Sequence, residues 1–570
     1  MARVESGAAG GARDGVAAPA QTPSITPDAP PVTGLNHRQI MIVFSGLMLG
    51  MLLAALDQTI VSTALPTIVG ELHGLNHLSW VVTAYLLTST ASTPLYGKIS
   101  DLYGRKRVFQ AAIVIFLVAS ALAGLSQTMN QLIVTRALQG VGGGGLMTLA
   151  MAIIGDIVSP RQRGRYQGYF GAVFAVASVG GPLLGGFFVD HLTWRWVFYI
   201  NLPLGIVALV VTSTVLNLSF PRRPHRIDYL GSALMVGAVC AFLLVTVWGG
   251  TTYSWGSPQV LGALAAGAAL LAAFVAHEQR AAEPILPLRL FRNPVFTVSN
   301  VISFVTGLAM FGAIVFLPLY MQLVKGASAT ASGLLMLPLM AGMLAASIVS
   351  GRLIVRMGRY KIFPVVGSAL AAVGMWLLSY LGADTARLVF SAFMVVLGVG
   401  IGMTMQVLVL ATQNAVEHQD LGVATSAVNF FRSMGGSFGT AIFGAILVNR
   451  LAYNLARILP AGVAAKVPAG SITGSPAAIR HLTPVIRHGF VQAFVDSLHV
   501  VFVVATPIMA IAFLLALTLR DIRLRDTVNV GQAAATAMPK GAQVAEGVAE
   551  SDLASEESEA ADDRPSSLTA

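Results

Sequence analysis

Asp57 is the residue in this chain with the most chemistry to explain. It stands in an apolar run near 40–62, the one acidic side chain well inside a span of the first half. Burying a carboxylate in a membrane is expensive. A group that can hold a proton or a cationic substrate, but not both, is the minimum chemistry for exchange. A structural carboxylate capped by Gln58, Thr59 or a neighbouring helix fits the same pattern. Arg136, in the run near 130–152, is the matching buried cation, and bonds to backbone carbonyls would also hold it in place. Arg432 raises the same question in the second half and reads as structural or gating.

The stretch Gly97-Lys98-Ile99-Ser100-Asp101-Leu102-Tyr103-Gly104-Arg105-Lys106-Arg107 is the most specific signal. Its glycines allow a close approach and a sharp turn, and Asp101 can pair with a nearby arginine or meet a helix N-terminus. Gly97, Asp101, Gly104 and Arg105 are its candidate gate residues. A third segment, Gly180-Gly181-Pro182-Leu183-Leu184-Gly185-Gly186, joins small residues that let a helix approach with a proline that bends the span.

The elements that must position these groups are membrane helices. The chain has 570 residues, 55% hydrophobic and 11% charged, against about 25% charged in soluble domains. That excludes a disordered chain, a collagen-like fibre, a disulfide-stapled module and a soluble enzyme. A span needs about 20 apolar residues, and fourteen such runs occur between 40 and 519. Cations concentrate in alternate loops, such as those holding Arg105–Arg107 and Arg161–Arg165, which predicts cytoplasmic even-numbered loops and two cytoplasmic termini. The basic loop 449–490 disagrees, and its length allows it to be outside all the same.

An internal repeat sets the plan. Gly351-Arg352-Leu353-Ile354-Val355-Arg356-Met357-Gly358-Arg359-Tyr360-Lys361 aligns without a gap on Gly97–Arg107, eight helices later and on the same side. Parallel six-helix halves would put the copies six apart, so two helices are inserted. The fold class is an all-α polytopic membrane protein of fourteen helices. Its expected parts are an N-terminal bundle (37–220), a two-helix insert (221–290) and a C-terminal bundle (291–525) with the long outer loop 449–490. A disordered cytoplasmic arm (1–36) and a disordered acidic tail (526–570) flank them.

The Gly97–Arg107 segment resembles the signature loop of the major facilitator superfamily. Other motifs resemble its fourteen-helix drug:proton antiporter branch: Leu56–Pro66, Arg136-Ala137-Leu138-Gln139-Gly140, Gly180–Gly186 and Trp194–Pro203. The resemblance covers roughly 38–525. It implies the major facilitator fold, proton coupling at Asp57 and Arg136, a cytoplasmic gate at Gly97–Arg107, and an antiporter motif at Gly181, Pro182, Gly185 and Gly186. A monomer is also what it implies.

Other patterns carry less. Gly140-Val141-Gly142-Gly143-Gly144-Gly145 satisfies G-x-G-x-x-G but lies in a membrane run, where small residues serve packing. The sequence holds no phosphate-binding G-x-x-x-x-G-K-[ST], no H-E-x-x-H and no zinc-like histidine spacing, so no cofactor or metal is expected. Gln58, Gln139, Phe304, Met310, Gln406, Gln413, Asn414 and Asn429 are candidate pocket residues, offering amides, a soft thioether and an aromatic face. The stretch Leu334–Ser350 has no acid, which argues against dications.

The expected function is proton-coupled export of lipophilic or amphipathic compounds, monocationic drugs included, from a bacterial inner membrane. Partners would be small molecules, protons and lipids, not nucleic acid. A dedicated exporter of an endogenous metabolite would look alike. A non-transporting sensor or scaffold has no use for a buried carboxylate.

Overall fold

The computed structural model describes residues 37–72, 78–158, 160–215, 228–250, 253–281, 283–417, 420–458 and 483–524. The expected arm 1–36, the tail 526–570 and the middle of the loop 449–490 lie outside the described residues. The first half comprises α1 (His37–Glu71), α2 (Leu78–Tyr103), α3 (Arg105–Gly124), α4 (Met129–Ile157), α5 (Pro160–His191), the one-turn α6 (Trp196–Tyr199) and α7 (Asn201–Val215). Then come α8 (Tyr229–Trp248) and α9 (Pro258–Glu278). The second half comprises α10 (Pro294–Leu323), α11 (Ala329–Leu335), α12 (Leu337–Met357), α13 (Ile362–Ser379), α14 (Arg387–Ala415), α15 (Leu421–Ile458) and α16 (Pro484–Thr518). Helix α15 runs to Ile458 and α16 starts at Pro484, so both ends of the expected outer loop are helical.

Apolar runs of this length fold as helices because hydrocarbon offers no partner for a bare backbone amide. Their ends are set locally. Thr128 and Gln131 form a reciprocal capping box at the start of α4, and Asp228 and Asn293 cap α8 and α10. Gly358 ends α12 with a left-handed φ of 66°. Among the described residues, thirteen helices are long and apolar enough to cross a membrane. Helix α2 is the fourteenth by length, and its lower hydropathy has a reason. Thr88, Ser92 and Thr93 donate to the backbone carbonyls of Ala137, Val141 and Gly144 on α4, at 2.7, 3.3 and 3.3 Å. The hydroxyls are spent against a neighbouring backbone, not lipid.

The two halves repeat one packing scheme. Helix α1 pairs with α5, α2 with α4 and α3 with α4; correspondingly, α10 pairs with α15, α12 with α14 and α13 with α14. The bundles meet where α2 lies along α15 and α5 along α12. The inserted pair packs on itself, and α8 also covers the α2–α15 seam. There Met235, Val239 and Leu243 share a buried cluster with Ala91 and Phe430. The glycine run 140–145 is explained by α4's central place. A methyl group on Gly142 would sit 2.7 Å from the Phe116 amide and 2.8 Å from the Ala112 carbonyl, so only glycine lets α3 pack this closely.

Candidate functional site

Asp57 is wholly buried inside the first bundle, at 0% exposure, facing Arg136 at 1%. Its Oδ2 accepts from Arg136 Nη1 at 2.5 Å, and its Oδ1 accepts from Gln139 Nε2 at 2.9 Å and Asn201 Nδ2 at 3.1 Å. Ser120 Oγ accepts from both amides and donates to the Phe198 carbonyl. Arg136 reaches the Val81 carbonyl and Gln139 Oε1, and its guanidinium lies 4.4 Å from the centre of the Tyr85 ring. Six elements, α1 to α4, α6 and α7, thus converge on one carboxylate. A buried pair tolerates desolvation only when its remaining bonds are made, and here they are. Asp57 and Arg136 were legible in the sequence as buried charges. Ser120, Tyr85 and Asn201 were not: each is one polar group in an apolar run, and only the fold aims it at Asp57.

A second charged cluster lies at the end of the bundles that carries the basic loops. Gly104, with φ at 91°, breaks α2 from α3 and turns Arg105 inward. Arg105 pairs with Asp101 at 2.5 Å and with Asp156, at the end of α4, at 2.7 Å. This cluster presses on the other bundle. A methyl group on Gly97 would strike Ser426 and the Gly422 carbonyl, and one on Gly422 would strike Arg105 and Asp101. Close by, buried Arg163 donates to the Gly155 and Val158 carbonyls and to Gln413 Oε1, while Gln413 donates to the Met151 carbonyl. The charged cluster therefore has more parts than the Gly97–Arg107 segment. Asp156 and Arg163 were missed because end-of-helix charges look like ordinary loop charges. The repeat copy differs: Arg352 and Arg356 are exposed, and no acid stands at Val355.

Helix α5 links the bundles. Its Gly181 and Gly185 leave room for α1 at Thr59, Ile60 and Thr63, and Thr59 Oγ1 donates to the Ala177 carbonyl at 2.8 Å. Pro182 faces the other way, toward Gly333 on α11. Gly186 is half-buried.

The candidate pocket residues separate into several places. Gln139 belongs to the Asp57 network, and the neighbouring Gln58 is exposed. Gln413 joins the bundles at the basic-loop end, and Asn414 donates to the Arg523 carbonyl. Met310 packs in the core of the second bundle, and Phe304 stands 6.1 Å from Phe438, ring to ring. Gln406 is buried on the face of α14 that also carries Val409 and Gln413, with Oε1 unpartnered among the described residues. Asn429 accepts from Arg432 and lies 3.7 Å from Met151 Sδ of the first bundle.

The comparisons with known proteins agree with this architecture. An uncharacterized transporter of the major facilitator type from Mycobacterium tuberculosis is 48% identical over 513 residues, covering 90% of this chain and 74% of that one. Multidrug transporter protein MdtP of Bacillus subtilis is 40% identical over 511 residues, covering 85% of this chain and 93% of that one. The solved proton:xylose symporter XylE superposes with a TM-score of 0.57 over 85% of this chain and 97% of that one; at 13% identity, the likeness is one of fold. The Major Facilitator Superfamily matches residues 47–440. The chain therefore belongs to that superfamily, in its drug-efflux branch, and is a multi-pass membrane transporter, not an enzyme.

Proposed function

We propose that this transporter exports amphipathic small molecules from the cytoplasm in exchange for protons, with Asp57 as the proton site. The observation that carries this reading is the isolation of the Asp57–Arg136 pair. A carboxylate held by a guanidinium and two amides, all buried within the bundle, changes its bonding completely when a proton arrives. Protonation cancels the charge that holds Arg136 and turns one carboxyl oxygen from acceptor to donor. Gln139 and Asn201 must then reorganise, and through them α1, α4 and α7 shift. Helix α1 packs on Gly181 and Gly185 of α5, and α5 lies along α12 of the other bundle. That gives the proton a mechanical route to the seam between bundles.

In this reading the basic-loop end is cytoplasmic, as the placement of cations supports, and the membrane is the bacterial inner membrane. Arg105, Asp101, Asp156, Arg163 and Gln413, clustered at that end, serve in this reading as its gate. One proton exchanged for one monocation moves no net charge, so a pH gradient suffices. A neutral cargo would also draw on the membrane potential, about 2.3 kcal/mol per charge per 100 mV.

The test uses purified protein in liposomes with an imposed pH gradient, comparing wild type with Asp57→Asn. Gradient-driven movement of an amphipathic dye that disappears in Asp57→Asn is the expected result. Movement that survives the substitution would place the proton elsewhere.

A further inference from the structure

Arg136 has its carboxylate, but the buried arginine of the second bundle does not. Arg432 lies on α15, eleven residues from the helix start, or about 16 Å along its axis at 1.5 Å per residue. It is 7% exposed and makes no ion pair among the described residues. Its Nη2 reaches Asn429 Oδ1 on its own helix and lies 3.7 Å from Met147 Sδ of α4, across the seam. Its Nη1 has no hydrogen-bond partner among the described residues. Helices α10, α14 and α15 contain no Asp or Glu at all, and Asp101 and Asp156 of the first bundle pair with Arg105.

The backbone that carries the guanidinium is held firmly. Gly307 of α10 packs directly on the Arg432 carbonyl, and Gly435 packs on the Phe304 carbonyl, so the backbone has no room to withdraw. The side chain points to the seam, where a thioether covers it. Met147 belongs to the opposite bundle, so parting the bundles at the basic-loop end uncovers Arg432. Closing them again without a counter-charge buries a cation with bare N–H groups, which is costly. Closing them around an anion does not incur that cost.

We propose that Arg432 binds the acidic group of the transported compound, so that the cargo is an amphipathic organic anion, a carboxylate or sulfonate with an apolar body. Asn429 orients the guanidinium, and Met147 and Met151 supply a soft apolar wall from the other bundle. Asp57, walled inside the first bundle, handles the proton and does not meet the cargo. The proposal rests on the export reading above and corrects its expected preference for cationic drugs.

The test separates binding from transport. Wild type, Arg432→Lys and Arg432→Gln in lipid nanodiscs are titrated with 1-pyrenebutyrate and with its methyl ester, read by energy transfer from tryptophan. Wild type should bind the carboxylate about tenfold or more tighter than the ester, since charge-assisted bonds are the strong ones. Arg432→Gln should abolish that preference and Arg432→Lys should keep part of it. Lipid partitioning favours the ester equally in all three proteins, so it cancels. An acid-to-ester affinity ratio in Arg432→Gln unchanged from wild type overturns the proposal. A parallel liposome flux assay with ethidium and pyrenebutyrate tells the two failures apart. Ethidium flux without any carboxylate preference leaves export standing and removes the anion site. Arg432-dependent binding without flux of either probe keeps the site and removes export.

Discussion

At the scale of single residues, Arg136 and Arg432 are both buried but are treated in opposite ways. Arg136 is neutralised by Asp57 and enclosed, whereas Arg432 faces the seam with one donor unpartnered among the described residues. Arg136→Gln would strand a buried carboxylate, a loss of about 3–5 kcal/mol for such pairs. It should lower the thermal midpoint of the detergent-solubilised protein sharply. Adding Asp57→Asn removes the stranded charge, so the double substitution should recover most of the stability while still failing to couple transport to protons. A double-substitution cycle in thermal unfolding measures this directly. If the two single losses simply add, the pair is not a stabilising unit.

At the scale of elements, the fold depends on how closely helix backbones approach. Gly142 shows it most clearly, because the atoms a methyl group would meet belong to the α3 backbone and cannot swing aside. Gly142→Ala should cost about 1–3 kcal/mol as an overpacked contact. Gly262 on α9 has open space around it, and Gly262→Ala should be neutral or gain up to about 1 kcal/mol from helix propensity. The contrast is read from two melting curves. Equal effects at the two sites would mean that α3 and α4 are not packed this tightly.

At the scale of the whole molecule, buried charges of one bundle pack against Gly422 of the other at the basic-loop end. Ser426, buried at 1% beside Gly97, reports on that contact. In a Cys240→Ser background, Ser426→Cys should react slowly with an impermeant maleimide. Arg105→Ala should raise the rate about tenfold for each 1.4 kcal/mol of closure lost. An unchanged rate would show that Arg105 does not hold the end shut. The linker after the insert ties both sides of this end, through Lys98–Glu283 at 3.6 Å and Arg289–Asp420 at 2.9 Å. Burial pushes the Asp420 carboxyl above its ordinary value, and Arg289 offsets this only in part. A raised acid contributes stability below its unfolded value, about 3.9, and loses that contribution as pH rises through the folded value. Asp420→Asn should therefore gain thermal stability relative to wild type as pH increases from about 4 toward neutrality. A difference that is flat with pH would show that Asp420 titrates as an ordinary surface acid.

What the sequence by itself determined is the set of elements and the family. Apolar runs long enough to span, the gapless repeat at 97–107 and 351–361, and the motifs from Leu56 to Pro203 are all local, and local patterns survive in one dimension. Asp57 and Arg136 were legible for the same reason, since a charge inside an apolar run is conspicuous wherever the helix packs. The assignment of partners needed the tertiary structure. Ser120, Asn201, Asp156 and Arg163 are ordinary polar residues until the fold brings the first two into the Asp57 network, Asp156 to Arg105 and Arg163 to Gln413. The pocket amides show the converse, because Gln413 and Asn429 face the seam and Gln139 faces a carboxylate. Which side of a helix a residue occupies follows from its position along the run, but what lies opposite depends on the packing of other helices many residues away. That is why Arg432 reads only as structural or gating in the sequence, and it takes the folded molecule to show its guanidinium without a counter-charge among the described residues.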